Sequence, residues 1–272
     1  MSGVVSKFSG SIAVVGGGKM GEAIVRGLLA AGAVDGSQVV IAEPSPARRS
    51  ELAALAGIRL VATAAEALPA DVVLLAVKPQ VIEAVVGDLP KPLSDSLVIS
   101  IAAGVSCARL ESLIGTPTAV VRVMPNTPAM VGAGMAVVSG GEAASELDVE
   151  TARSLFAHLG EAIVIDERYQ NAATAISGSG PAYFALVVDA LARAGVGVGL
   201  GRDVAQALAV QTMLGTARLL HDTEIHPEQL IDGVTSPGGT TIAALDRLES
   251  SGVRAAFADA VRAAVARAEE LA

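Results

Sequence analysis

At 272 residues the chain is long enough for one large domain or two modest ones, and its 52% apolar share supplies a sizeable core. Charged residues make up 17% and are interspersed, which argues against disorder; a net charge of −9 argues against nucleic acid, whose phosphates need a basic surface. The single cysteine, Cys107, cannot form an internal disulfide and stands at no metal-ligand spacing, so it reads as a buried structural thiol, and no metal is expected.

Lys7 is followed by polar Ser9 and Ser11 rather than an apolar run, so no signal peptide is expected and the chain reads as cytoplasmic. From residue 11 onward, short apolar runs alternate with longer helical stretches. The runs are Ile12–Val15, Val39–Ala42, Ile58–Ala62, Val72–Val77, Leu97–Ile101 and Val120–Met124, with Met135–Val138 and Ala162–Ile165 as edge candidates. They are apolar at consecutive positions, the mark of strands covered on both faces in a parallel sheet.

After about Asp166 strand-like runs vanish. Helices are expected from near Pro181, Arg202, Thr240 and Gly252. The stretch Ala182–Leu200 is apolar enough to suggest a membrane span. Asp189, Arg193 and several glycines interrupt it, so it reads as a buried helix ending near Gly195, with no membrane partner. The expected fold is therefore α/β: a Rossmann-type, mostly parallel sheet domain over residues 1–166, then an all-helical domain over 167–272. Those helices are apolar nearly all round, and a second copy of the chain is the natural cover for them.

The first strand runs straight into Gly16-Gly17-Gly18-Lys19-Met20-Gly21, a G-x-G-x-x-G pattern that opens a helix. Gly16 permits the tight turn, Gly18 lets backbone approach a pyrophosphate, and Gly21 lets helix and strand pack closely. The helix start adds unpaired N–H groups and partial positive charge. The second strand ends in Glu43, where an acid would accept from a ribose hydroxyl and favour NADH. Ser45 and the Arg48–Arg49 pair would suit a 2′-phosphate and favour NADPH. Both alternatives stand. Lys78, in Ala76-Val77-Lys78-Pro79-Gln80, falls at the carboxyl end of the fourth strand, on the nicotinamide side.

Two further segments are small and polar. Asp232-Gly233-Val234-Thr235-Ser236-Pro237-Gly238-Gly239-Thr240-Thr241 opens a helix and offers a nest of backbone donors for a carboxylate or phosphate. The run Ser177–Tyr183 begins the long apolar helix and reads as close helix packing. The glycines from Gly195 to Gly201 follow a helix and read as a turn.

Together with Ile101–Val105, Val121–Pro128 and Leu230–Leu245, these segments resemble the pyrroline-5-carboxylate reductase family over nearly the whole chain. Val234–Thr241 is the most specific of the matching pieces. The resemblance implies reduction of 1-pyrroline-5-carboxylate to L-proline with NADPH or NADH. It also implies a homodimer formed through the helical domain and a larger ring of dimers. Val15, Gly16, Gly17, Gly18, Lys19, Met20, Ser45, Thr63, Ala76, Val77, Lys78, Pro79, Ala102 and Ala103 would contact the cofactor. Gly233, Ser236, Gly238, Gly239 and Thr240 would hold the substrate, with Glu224 at an often acidic position. Thr241 would be the catalytic residue, hydrogen-bonded to the ring nitrogen. Thr63 stands where the family commonly has Asn, which with Glu43 leaves the cofactor preference open.

An imine nitrogen is basic enough to take its proton from water, so such a reductase mainly orients two ligands. Two rivals remain. A 3-hydroxyacid dehydrogenase needs a catalytic lysine between its domains, yet every lysine here (Lys7, Lys19, Lys78, Lys91) lies at or before residue 91. A non-catalytic NAD(P)H sensor has no need of the second anion nest at Ser236–Thr241.

Overall fold

The computed structural model describes residues 7–115 and 117–270, so the expected domain ends at residues 1 and 272 lie outside the described residues. Eight strands form one sheet: β1 Ile12–Val15, β2 Val39–Ala42, β3 Arg59–Val61, β4 Val72–Leu75, β5 Leu97–Ser100, β6 Val120–Met124, β7 Gly134–Gly140 and β8 Gly160–Val164. Their order is β3-β2-β1-β4-β5-β6-β7-β8. β1 pairs in parallel with both β2 and β4, so the winding reverses direction between β1 and β4. Ligands bind beyond the strand ends at such a reversal.

Burial explains the apolar runs. All four residues of β1, β4 and β5 are buried, since both sheet faces are covered. On one face Ile12, Val14, Leu74 and Ile99 pack with Ile24 and Leu28 of α1 (Lys19–Ala30) and with Leu155 and Phe156 further along the chain. On the other, Val15, Val73, Leu75 and Val98 pack with Ile82, Leu110 and Ile114.

The helices between strands start where the sequence caps them. Ser45 caps α2 (Pro46–Leu52), accepting from Arg48 N–H at 3.3 Å, and Thr63 caps α3 (Ala64–Ala67) through a reciprocal pair with Glu66. α4 spans Ile82–Gly87. Ser106 caps α5 (Cys107–Ile114), which stops at left-handed Gly115, and Ser145 caps α6 (Glu146–Ala157). β7 alone runs antiparallel to its neighbour β6. The link between them holds only a short 3-10 turn at Thr127–Val131, too little chain for a parallel crossover.

The remaining helices are α7 Gln170–Ala173, α8 Gly180–Gly197, α9 Arg202–Thr223, α10 Pro227–Gly233, α11 Thr240–Ser250 and α12 Val253–Glu270, with a π-helical turn at Thr174–Gly178 ahead of α8. Starts near Pro181, Arg202, Thr240 and Gly252 were expected; α10 was not. The chain divides into two compact units. The first holds the described residues up to Ser179 together with 264–270, and the second is Gly180–Ala263.

One expectation needs correcting. α8 is not a buried helix: Phe184, Leu186 and Leu191 stand exposed, and only Gly180 and Ala192 are buried. A single chain has too few elements in the second unit to cover a helix that is apolar on several faces. The stretch Glu167–Gly197 is long and apolar enough, by length and composition, to cross a membrane.

Candidate functional site

Steric necessity shapes the glycine loop after β1. Gly16 adopts φ +108°, and a Cβ there would sit 2.6 Å from the Ala76 carbonyl. Its N–H donates to Ala42 O at 2.9 Å. A Cβ on Gly21 would fall on the Gly16 carbonyl oxygen. Gly17 is buried, and a Cβ there would press on Leu52 at 2.5 Å. Gly18 differs: it is exposed, its backbone is extended, and a Cβ would meet nothing within 4 Å. It starts α1 with no side-chain cap, so the first N–H groups of that helix are unclaimed by a capping side chain.

A cavity of about 790 Å³ opens beside this loop, a volume suited to a small-molecule cofactor. Val15, Gly16 and Gly18 form one wall. Glu43 and Pro44 close the β2 side, and Thr63 and Ala64 the β3 side. Ala76, Val77 and Lys78 line the β4 side, with Val81 and Val85 beyond them. Gly18 is therefore a cradle that a side chain would fill, as a pyrophosphate site requires.

Eight of the expected cofactor residues thus come together: Val15, Gly16, Gly18, Glu43, Thr63, Ala76, Val77 and Lys78. Others stand behind the wall or beside it. Gly17 and Gly21 are buried, Met20 packs on the core, and Lys19 is the exposed first residue of α1. Pro79 opens a short 3-10 turn after β4; Ala102 is buried after β5, with Ala103 next to it. Pro44, Ala64, Val81, Val85 and Asp88 line the cavity without having been expected. Only Val81 and Val85 left a trace in sequence, as apolar residues four apart after Lys78.

Around the β2 end the charged side chains already have hydrogen-bond partners. Glu43 accepts from Gly17 N–H at 3.1 Å and from Ser45 N–H at 2.9 Å. Arg48 donates from Nε to the Gly17 carbonyl at 2.7 Å, from Nη1 to Glu51 at 2.5 Å, and from Nη2 to Glu22. Arg49 donates to the carbonyls of Glu43 and Pro44 at 2.6 and 2.9 Å. Hydrogen bonds from Arg26 and Arg48 hold the Glu22 carboxyl below its usual range, and Glu51 with Glu22 raises Arg48.

The second small polar segment lies in the second compact unit. Gly239 is the N-cap of α11 and gives the helix no side-chain cap, so the amides of Thr240 and Thr241 are unclaimed by a capping side chain. The turn before it is tight. Gly238 takes φ +67°, Gly239 N–H donates to Ser236 O at 3.0 Å, and a Cβ on Gly239 would strike Ser236 Oγ. Thr235 Oγ donates instead to Ile231 O at 2.7 Å, which ties the loop to α10, whose last residue is Gly233. Glu224 is the exposed, left-handed C-cap of α9 (φ 53°).

Cys107 is buried at the start of α5. Burial, with Glu167 nearby, pushes its thiol from an ordinary 9.0 up to about 12, which removes it as a nucleophile. Among the described residues no group of three or more His, Cys, Asp or Glu side chains is placed to hold a metal.

A sheet wound on both faces, with a glycine loop and cofactor-sized cleft at its reversal point, is the frame of an NAD(P)-dependent oxidoreductase. Residues 11–104 match the family described as NADP oxidoreductase coenzyme F420-dependent, and residues 167–271 match pyrroline-5-carboxylate reductase dimerisation. The chain belongs to the pyrroline-5-carboxylate reductase family.

Relatives of that name from Synechocystis and Pisum sativum are 45% and 42% identical. The first alignment covers 96% of this chain and 97% of the relative, the second 96% of each. A solved pyrroline-5-carboxylate reductase from Coxiella burnetii is 38% identical with a TM-score of 0.91, covering 97% of this chain and 99% of that one. The Plasmodium falciparum enzyme, solved with NADP bound, is 29% identical with a TM-score of 0.88, covering 98% and 99%.

Proposed function

We propose that this chain reduces 1-pyrroline-5-carboxylate to L-proline, taking a hydride from NADH or NADPH. The observation that carries the reading is a second helix start left open to an anion, at Gly239–Thr241, in a chain whose other unit holds a dinucleotide-shaped cleft. The likeness to reductases of this name along almost the whole chain supports it.

When bound, the reduced nicotinamide supplies the hydride. Gly18 and Lys19 would hold the pyrophosphate at the start of α1, on a loop whose shape Gly16, Gly17 and Gly21 set, with Val15 on the cavity wall and Met20 packed behind. Glu43, Ser45 and Thr63 border the adenosine, while Arg48 steadies the loop through the Gly17 carbonyl. Ala76, Val77, Lys78, Pro79, Ala102 and Ala103 border the nicotinamide side. The amides at Gly238, Gly239 and Thr240, with Ser236 and Gly233, take the substrate carboxylate. Glu224, the C-cap of α9, is assigned to the substrate with them. The Thr241 hydroxyl would orient the ring nitrogen, whose proton would come from water. Orientation is the main service these residues provide, and it supplies much of the acceleration.

Residues 1–166 serve the dinucleotide and 167–272 serve substrate and association, a division supported by where the dimerisation match begins. That match supports a homo-oligomer. The homodimer through the helices, a ring built from such dimers, and a cytoplasmic location belong to this proposal. The test is to mix purified protein with pyrroline-5-carboxylate and either cofactor, follow absorbance of the reduced form, and detect proline. Oxidation of neither cofactor would overturn the assignment.

A further inference from the structure

We propose that Glu43 makes this enzyme selective for NADH, because its fixed carboxylate occupies the place where NADPH must set its 2′-phosphate. The inference rests on the dinucleotide reading of the cleft. Sequence alone left Glu43 and the Arg48–Arg49 pair as opposite signals; their hydrogen bonds separate them.

Glu43 follows β2 directly and lines the cavity. Two backbone donors from different loops, Gly17 N–H and Ser45 N–H, hold its two oxygens at 3.1 and 2.9 Å. A carboxylate held in this way can still accept from ribose hydroxyls, which is the NADH arrangement. A phosphate monoester brings about −1.5 to −2 charge at neutral pH and meets repulsion there. It also loses a backbone donor: Ser45 N–H, beside the cleft, is spent on Glu43, while Ser45 Oγ accepts from Arg48 N–H in capping α2 and keeps only its hydroxyl hydrogen to offer.

Neither arginine repairs this. Arg48 has Nε on the Gly17 carbonyl, one terminal nitrogen on Glu51 and the other on Glu22. Arg49 is turned onto the carbonyls of Glu43 and Pro44. Neither lines the cavity, whose charged wall residues are Glu43, Asp88 and, on the β4 side, Lys78. Freeing Arg48 for a phosphate would break two ion pairs and release the Gly17 carbonyl, loosening the loop that holds the pyrophosphate. The fork is a brace for the glycine loop.

The test is direct binding of NADH and of NADPH to the full chain, by calorimetry and without substrate. NADH is expected to bind at least about 30-fold more tightly. In Glu43→Ser the two backbone donors are released and the repulsion is gone, so NADPH should tighten by about tenfold or more while NADH weakens. Arg48→Ala should weaken both cofactors by a similar factor. Equal affinities in the unaltered protein, an unchanged ratio in Glu43→Ser, or selective loss of NADPH in Arg48→Ala would each overturn the inference. Failure to bind either cofactor would overturn the dinucleotide reading along with it. Turnover with pyrroline-5-carboxylate, measured separately, reports on the substrate assignment alone.

Discussion

Gly18→Ala and Gly21→Ala differ by one methyl each in the same loop, and the structure expects opposite behaviour from them. At Gly18 the backbone (φ −65°, ψ −178°) suits any L residue, and the new Cβ meets nothing within 4 Å. Two small terms then oppose each other in the protein alone. Alanine restricts the unfolded chain, which stabilises by about 0.4–1 kcal/mol, and it is a poorer N-cap than glycine by a similar amount. Stability should stay within about 0.5 kcal/mol. The space that the methyl takes is the cradle itself, where each lost charge-assisted hydrogen bond to a phosphate costs about 1.5–3 kcal/mol. Cofactor affinity should therefore fall by about 10- to 100-fold. At Gly21 the new Cβ would fall on the Gly16 carbonyl oxygen and lie 3.3 Å from the Ala76 methyl, so the loop must shift before any ligand arrives. Such overpacking costs about 1–3 kcal/mol of stability. Denaturant unfolding without ligand, paired with NADH titration by calorimetry, separates the two. Full cofactor affinity in Gly18→Ala would refute the cradle, and a loss of stability there as large as in Gly21→Ala would refute the packing argument.

Three further outcomes are open to measurement. Thr241→Ala should lower kcat by about tenfold or more with little change in cofactor affinity, as expected for a lost orienting hydrogen bond; an unchanged rate removes Thr241 from the chemistry. Cys107, raised to about 12 in the fold against 9.0 ordinarily, keeps its proton where the unfolded chain loses it. Its contribution is thus intact below pH 9 and falls by about 1.4 kcal/mol per pH unit above it, so Cys107→Ala should flatten the alkaline loss of stability. Native protein should also resist alkylation near neutral pH, and rapid labelling would contradict the burial. Leu186 and Phe184 on α8 are 68% and 62% exposed in a single chain, so Leu186→Asp should yield monomers in light scattering; an intact oligomer would place the interface elsewhere.

Much of the sheet was legible because burial on both faces leaves consecutive apolar residues, as in Ile12–Val15 and Val72–Leu75, and few other structures do. The direction of β7 was not legible. It depends on how the Pro125–Ala133 link folds, and the 3-10 turn there is held partly by Asn126, which accepts from Met135 N–H at 2.9 Å and donates to Ser177 O at 3.0 Å. Met135 lies across the turn in β7 itself, and Ser177 is 51 positions away. α10 escaped for another reason: at seven residues, begun by a His226 cap, it is too short for periodicity to register. α8 showed its apolar content plainly but not what covers it, since a helix apolar on several faces looks the same whether its neighbour lies in one chain or in another.

The site divides along the same line. Each glycine of the Gly16–Gly21 loop could be given a task from the chain alone, because its constraints come from the strand before it and the helix after it. Glu43 and Arg48 could not be weighed in this way. Both follow the end of β2, the strand end beside which a fold of this kind reads adenosine, and each residue type is suited to one form of the cofactor. What decides between them is prior commitment: Glu22 lies 26 positions from Arg48 and the Gly17 carbonyl 31, and both have already claimed its guanidinium. Glu43 is held too, yet by backbone donors that leave its remaining lone pairs toward the cleft. An anion held by amides keeps acceptor capacity for a hydroxyl. A cation whose three nitrogens are each engaged by a carboxylate or a carbonyl, and which does not line the cleft, must give up those partners to turn toward a phosphate, so its place after β2 is not enough to make it a reader of the 2′ group.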